Sequence, residues 1–133
     1  ILASVTVDMP VAITSAYIAQ EIGATNAYAF DLQAACSSFL YAVSNAAAYI
    51  ESKKYKKVLV VGSDVMSSIV DYTDRTTCIL FGDGCGVALM EPNEEDLGVQ
   101  DEILRTDAVG RDFLRIEAGG SFLPPDEYEI AES

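Results

Sequence analysis

Apolar positions in this chain fall into short runs separated by polar breaks, and the period of each run points to an element. Ile1 to Val7 reads as a strand, broken by Asp8-Met9-Pro10. Val11 to Ile22 predicts a helix with Ile13, Tyr17, Ile18 and Ile22 on one face, and Gly23 is placed to end it. Tyr28 to Ala35 predicts a second strand. Ser37 to Ser52 reads as a helix that is apolar almost all round, through Phe39, Leu40, Tyr41, Val43, Ala46, Ala47, Tyr49 and Ile50. Such a helix is expected to be buried. Lys53-Lys54-Tyr55-Lys56-Lys57 follows it, with cations at the negative helix end. Val58 to Val61 is apolar on both faces, as an inner parallel strand should be.

Residues 65–76 form a polar connection with helical potential. Cys78 to Phe81 leads to Gly82-Asp83-Gly84, a tight-turn signal in which the glycines suggest a demanding backbone, and Cys85 to Met90 predicts a further strand. From Glu91 the pattern becomes acidic and irregular, with loops marked by Gly119-Gly120-Ser121 and Pro124-Pro125. The strand, helix and strand between 28 and 61 suggest a right-handed crossover unit. Pattern alone therefore supports an α/β domain, organised as 1–90 followed by an acidic segment, 91–133.

Charge narrows the functional classes. The net charge is −13, and residues 91–133 hold 13 acidic residues against three Arg. A nucleic-acid partner is disfavoured, because it needs a basic footprint. The plain reading of the acidic segment is a solvated face. Three cysteines with no CxxC and no His argue against a metal site or a disulfide framework and favour a reducing, cytoplasmic compartment. No run is long enough to predict a membrane span. The chain opens in mid-strand without a Met, so it is expected to be a piece of a longer polypeptide.

Cys36 is the residue with the most chemical promise. It lies in Ala29-Phe30-Asp31-Leu32-Gln33-Ala34-Ala35-Cys36-Ser37-Ser38-Phe39, where a predicted strand gives way to a predicted helix. A helix start offers unpaired N–H groups and a positive macrodipole, which favour a thiolate, the nucleophilic form of Cys. The competing reading is a small buried hydrophobe.

Further motifs lie in register with that one: Val60-Val61-Gly62-Ser63-Asp64, Asp71-Tyr72-Thr73-Asp74-Arg75 and Phe81-Gly82-Asp83-Gly84-Cys85-Gly86. Together with Ala34-Ala35-Cys36-Ser37-Ser38-Phe39 they resemble β-ketoacyl-[acyl carrier protein] synthase III, a condensing enzyme of the thiolase superfamily. The resemblance runs from about Ile1 to at least Met90 and implies part of the N-terminal half of a five-layered α-β-α-β-α thiolase-like fold. The 37–52 helix would then be one of its central buried helices.

The resemblance implies chemistry as well. Cys36 would attack the thioester of a short acyl-CoA and form an acyl-enzyme. Malonyl-acyl carrier protein would then bind, lose CO2 and extend the acyl group by two carbons, starting fatty-acid synthesis. Acyl-CoA enters as a substrate, and no cofactor or metal is implied. The acidic charge is an awkward match to an acidic carrier protein, so a basic docking patch is expected outside this stretch. Arg75 would pack against the CoA adenine; alternatively it is a surface Arg paired with Asp71 or Asp74. Phe81 would line the cavity near the nucleophile, or serve as a core aromatic at a strand end. Met9 would cross a homodimer interface toward the partner's pocket, or cap its own core.

The family's catalytic His and Asn lie in its C-terminal half. This chain contains no His, so the resemblance implies an incomplete catalytic set here. The 28–35 strand would lie at the sheet edge and pair with its copy in a homodimer. Rival readings are a polyketide starter synthase, a hydroxymethylglutaryl-CoA synthase, or a non-catalytic half-module that assembles with other chains.

Overall fold

The computed structural model describes residues 1–95 and 97–125. Asp96 and 126–133, part of the acidic 91–133 segment, lie outside the described residues. Two compact units are distinguished, Ile1–Glu102 and Ile103–Ser133. In the second, a short 3-10 turn spans Arg111–Phe113, and Arg115 pairs with Asp112 and Glu117 at 2.9 and 2.8 Å.

The first unit is an α/β layer. Its strands are β1 (Leu2–Ala3), β2 (Asp31–Leu32), β3 (Val58–Asp64) and β4 (Gly84–Met90), ordered β2-β1-β3-β4. Two helices accompany them, α1 (Thr14–Glu21) and α2 (Ser38–Glu51). β1 is parallel to both β2 and β3, and β4 runs antiparallel to β3 from Val58↔Met90 to Asp64↔Gly84. The β2-α2-β3 crossover therefore passes over β1, which occupies the position between the strands it joins. β2 is an edge of the sheet.

α2 packs on this sheet through small residues. Ser38, Ala42 and Ala46 recur every four positions and are buried, so the helix approaches β1 and β3 closely. The core comprises Ala3, Ala42, Ala46, Val58 and Val60, flanked by Phe39, Val43, Tyr49, Ile50 and Met90. The expectation of an all-round buried helix is not met within the described residues: Leu40, on another face, is 66% exposed. One sheet can cover one face of a helix, and the apolar remainder stays open. At its C-terminal end Lys53 takes a positive φ of 59°, and Lys54 donates its N–H to the Tyr49 carbonyl (3.1 Å). The Lys54 ammonium lies 5.9 and 5.8 Å from the Tyr49 and Tyr55 ring centres.

Three predicted elements are shorter than their patterns suggest, and for two of them side chains distant in sequence are the cause. Ile1–Val7 pairs as a strand only at Leu2–Ala3. Beyond that point Asp64 captures the donors: its Oδ1 accepts from Ser4 Oγ (3.1 Å), Val5 N (2.8 Å), Thr6 N (3.3 Å) and Thr6 Oγ1 (3.0 Å). The 28–35 strand shrinks to Asp31–Leu32, because its partner β1 offers only Leu2 and Ala3 to pair with, and the Asp31 carboxylate caps α1. It accepts from Thr14 N (3.0 Å) and Ser15 N (2.9 Å). α1 therefore starts at Thr14 rather than Val11, whose φ of 71° is incompatible with a helix. Buried Ser15, not Ile13 or Tyr17, is the residue α1 hides. Gly23 ends it as predicted, at φ 72° with Ala24 N–H on the Ala19 carbonyl (2.8 Å).

The 65–76 connection contains a 3-10 turn, Met66–Ser68. The tight turn expected at Gly82-Asp83-Gly84 is not formed, and the segment is instead the entry into β4. Asp83 fastens it by accepting from Ser67 N and Ser67 Oγ, both at 2.7 Å. Gly82, Gly84 and Gly86 have no positive φ, and a Cβ at each would meet nothing within 4 Å. The demanding backbone expected of these glycines is thus not observed. No helix among the described residues is long and apolar enough to cross a membrane.

Candidate functional site

Cys36 sits in the turn from β2 to α2, and its side chain is exposed. The residue before it, Ala35, has φ 50°, in the left-handed region that disfavours a residue with a Cβ by about 1–2 kcal/mol. What holds this conformation is explicit. Ser37 N–H donates to the Ala34 carbonyl (3.2 Å) and Ser38 N–H to the Ala35 carbonyl (3.0 Å). The Ser38 hydroxyl accepts from Ala34 N–H (2.7 Å) and donates to the Ala35 carbonyl (2.6 Å). Hydrogen bonds of this kind contribute about 1 kcal/mol each, which is on the scale of the Ala35 strain. The turn is therefore tenable because it is stapled.

The first turn of α2 is fixed a second way. The Phe39 ring lies against Gly62 in β3, so close that a Cβ there would come within 2.8 Å of Phe39 Cδ2. Gly62 is itself held in register between Ala3 of β1 and Gly86 of β4. The helix start that carries the cysteine is thus keyed to the centre of the sheet.

The strand directions place the other candidates. β1, β2 and β3 are parallel, and their carboxyl ends coincide with the amino end of β4, since Asp64 pairs with Gly84. Cys36 follows β2, Met9 follows β1, and Arg75 and Phe81 lie between β3 and β4. All four occupy connections that leave or enter at that one end of the sheet. The carboxyl ends of parallel strands are where α/β sheets place their ligand sites. Among the described residues, no hydrogen bond, ion pair or ring contact joins any of the four to another.

Arg75 is exposed in the 71–78 loop, and its two neighbouring carboxylates are occupied by hydroxyls rather than by its guanidinium. Asp71 accepts from Thr73 Oγ1 (2.7 Å) and Thr73 N (2.8 Å). Asp74 accepts from Thr76 Oγ1 (2.6 Å), Thr77 Oγ1 (2.7 Å) and Thr76 N (2.9 Å). These donors, led by the Thr73 and Thr76 hydroxyls, hold both carboxyls below the usual carboxylate range. The alternative in which Arg75 pairs with Asp71 or Asp74 is not what the structure contains. The Ser67 hydroxyl, then its N–H, likewise lowers Asp83. Phe81 is half-buried, and Met9 is exposed with its N–H on Asp8 Oδ1 (2.9 Å).

Two surface clefts lie elsewhere. One, of about 280 Å3, is lined by Ile18, Tyr28, Tyr49 and Lys57 among others; another, of about 550 Å3, by Ile50, Lys56, Met90 and Pro92. Neither includes a candidate residue, and concavity alone would have pointed away from Cys36. Spacing alone does not single out Ser38; its place at the first position of the helix that follows Cys36 is the one signal for it.

Comparison with known proteins bears on this geometry. The family described as 3-oxoacyl-[acyl-carrier-protein (ACP)] synthase III matches residues 30–108, a span that contains Cys36, Arg75 and Phe81. A beta-ketoacyl-[acyl-carrier-protein] synthase III of Bacteroides thetaiotaomicron is 51% identical over 130 residues, covering 98% of this chain and 39% of the relative. The crystal structure of the synthase III from Thermus thermophilus superposes with a TM-score of 0.79 at 36% identity, covering 84% of this chain and 34% of that one. The priming β-ketosynthase of the R1128 polyketide pathway superposes at 0.67 with 41% identity, covering 69% and 28%. The chain thus spans about two fifths of the length of the curated relatives it matches. Its mixed sheet and helices are part of a thiolase-like α/β fold, and by sequence and structure the chain belongs to the 3-oxoacyl-[acyl-carrier-protein] synthase III family.

Proposed function

We propose that the protein containing this chain is an acyltransferase that condenses a short acyl-CoA with malonyl-[acyl carrier protein], with Cys36 as its nucleophile. The observation that carries the reading is an exposed cysteine on a stapled, left-handed turn at the carboxyl end of β2, inside the span matched by the family. In the first half-reaction the Cys36 thiolate attacks the thioester carbonyl, CoA leaves as its thiolate, and the acyl group is held as a Cys36 thioester. The Cys36 N–H, at the helix start, is the donor this stretch offers to the developing oxyanion. In the second, the malonyl group loses CO2, and the resulting carbanion attacks the acyl carbon and expels the Cys36 thiolate. The product is a β-ketoacyl chain two carbons longer.

Arg75 fits the role of holding the CoA nucleotide, since its guanidinium is exposed and its neighbouring carboxylates are engaged by threonines. Phe81 would line the acyl cavity and Met9 would reach a partner subunit's pocket in a cytoplasmic homodimer, with the edge strand β2 at the interface. The chain has no His, and in this proposal the decarboxylation step would draw on a His and an Asn that the family resemblance assigns outside this stretch. Similarity to a priming β-ketosynthase supports a second reading, a polyketide starter synthase with the same Cys36 chemistry and a different carrier protein.

The test is acyl-CoA-dependent release of CO2 from malonyl-[acyl carrier protein] by the full-length protein. Activity that vanishes in Cys36→Ser supports the proposal. Activity only with a polyketide carrier protein selects the second reading, and none with any carrier would leave a binding half-module.

A further inference from the structure

We infer that Ser38 is a positioning residue for the Cys36 nucleophile, an inference that rests on the condensing role proposed above. Three observations carry it. The Ser38 side chain is buried, with 3% of the residue exposed, so its hydroxyl is committed to protein partners. That hydroxyl uses both its capacities: it accepts from Ala34 N–H at 2.7 Å and donates to the Ala35 carbonyl at 2.6 Å. Between these two backbone groups lies Ala35, at a φ of 50°.

A serine in the first turn of a helix often donates to a carbonyl three residues back, and that bond alone would say little. The second bond is different. By grasping the Ala34 N–H and the Ala35 carbonyl, the hydroxyl fixes the peptide before Ala34 and the peptide after Ala35, and so closes the two-residue arc that contains the left-handed residue. The direction of the next Cα–Cβ bond, that of Cys36, follows from their orientation. Without the hydroxyl the Ala34 N–H loses its acceptor, and only the Ser37 and Ser38 N–H bonds are left to hold Ala35 against relaxing toward an ordinary conformation. The thiol would then swing away from the line of attack while remaining exposed and chemically intact. Ser38 touches neither the thiol nor a substrate, so its effect acts through Cys36.

The experiment is single-turnover acylation of the full-length protein by acetyl-CoA, with the Cys36 peptide followed by mass spectrometry, in wild type, Ser38→Ala and Ser38→Thr. Misaiming a nucleophile by a fraction of an ångström lowers its rate steeply, so Ser38→Ala should acylate about tenfold more slowly. The acyl-CoA concentration giving half-maximal rate should stay unchanged, and the variant should remain folded at the assay temperature, with a thermal midpoint lowered by a few degrees. Ser38→Thr keeps the hydroxyl and should recover most of the rate.

Acylation of Ser38→Ala at the wild-type rate would overturn the inference, as would a loss confined to acyl-CoA affinity. If Ser38→Ala unfolds, Ser38→Thr decides: a folded threonine variant as slow as a tenth of wild type refutes the hydroxyl's role. A wild type that forms no Cys36 adduct would instead sink the condensing reading itself, which separates the two failures.

Discussion

Adding one methyl group at Gly62 should disturb the nucleophile's helix from the face of the sheet on which that helix packs. A Cβ at this position would lie 2.8 Å from Phe39 Cδ2, 3.5 Å from Cγ and 3.6 Å from Cβ. Attractive carbon contacts begin near 3.5 Å, so the ring edge has to retreat by about 0.7 Å. The strand cannot give way instead, because Gly62 is paired to Ala3 on one side and Gly86 on the other. Phe39 is half-buried, with part of its rotation open, so the strain should fall toward the lower end of the about 1–3 kcal/mol typical of overpacking. Urea denaturation of the full-length Gly62→Ala protein measures that loss. The double variant Gly62→Ala with Phe39→Leu should recover part of it, giving a coupling energy of opposite sign to the single-variant loss. Since Phe39 lies three residues after Cys36, acylation by acetyl-CoA should slow in Gly62→Ala and partly recover in the pair. A Gly62→Ala protein as stable and as fast as wild type would refute the claim that Phe39 keys α2 to β3.

Other positions make separate tests. Asp31→Ala removes the acceptor of two N–H groups at the start of α1 and should lower stability by about 1–2 kcal/mol in chemical denaturation, with Asp31→Asn losing less; no loss would contradict the capping role. Arg75→Ala should raise the KM for acyl-CoA while leaving kcat nearly intact, and a short pantetheine thioester should acylate the variant normally. Equal losses with both donors would make Arg75 structural. Asp83 has its folded pKa lowered first by the Ser67 hydroxyl, so its contribution is present above the ordinary carboxylate range and is lost as pH falls through the lowered value. A carboxyl titration followed by NMR should show a depressed midpoint that moves up in Ser67→Ala; an unshifted midpoint in both would remove Asp83 as the clasp on β4.

The parts of the fold that were legible in the sequence are those whose causes are local. α2 was read within one residue at each end, because a dense apolar run fixes its extent. β3 and β4 emerged from apolar runs, and Gly23 marked the end of α1 at a φ that favours glycine. β1 and the start of α1 differ from their patterns because Asp64 and Asp31 set those boundaries from far along the chain, and β2 is short because β1, its partner, is short. Carboxylates that claim backbone donors 17 or 59 residues away leave no periodic trace.

The site divides the same way. Cys36 at a strand-to-helix junction was readable from pattern and spelling. That Met9, Arg75 and Phe81 share its end of the sheet depends on the order β2-β1-β3-β4, which spacing does not encode. The threonines that occupy Asp71 and Asp74 became visible only with the loop folded.

The central claim is that Cys36, on its stapled turn, forms a covalent thioester with an acyl donor. Intact mass spectrometry of the full-length protein after brief exposure to acetyl-CoA, followed by peptide mapping, tests it directly. The account predicts the mass increase of one acetyl group, located on the Cys36 peptide, labile to hydroxylamine and absent from Cys36→Ser. An adduct on Cys78 or Cys85, or one that persists in Cys36→Ser, would contradict it.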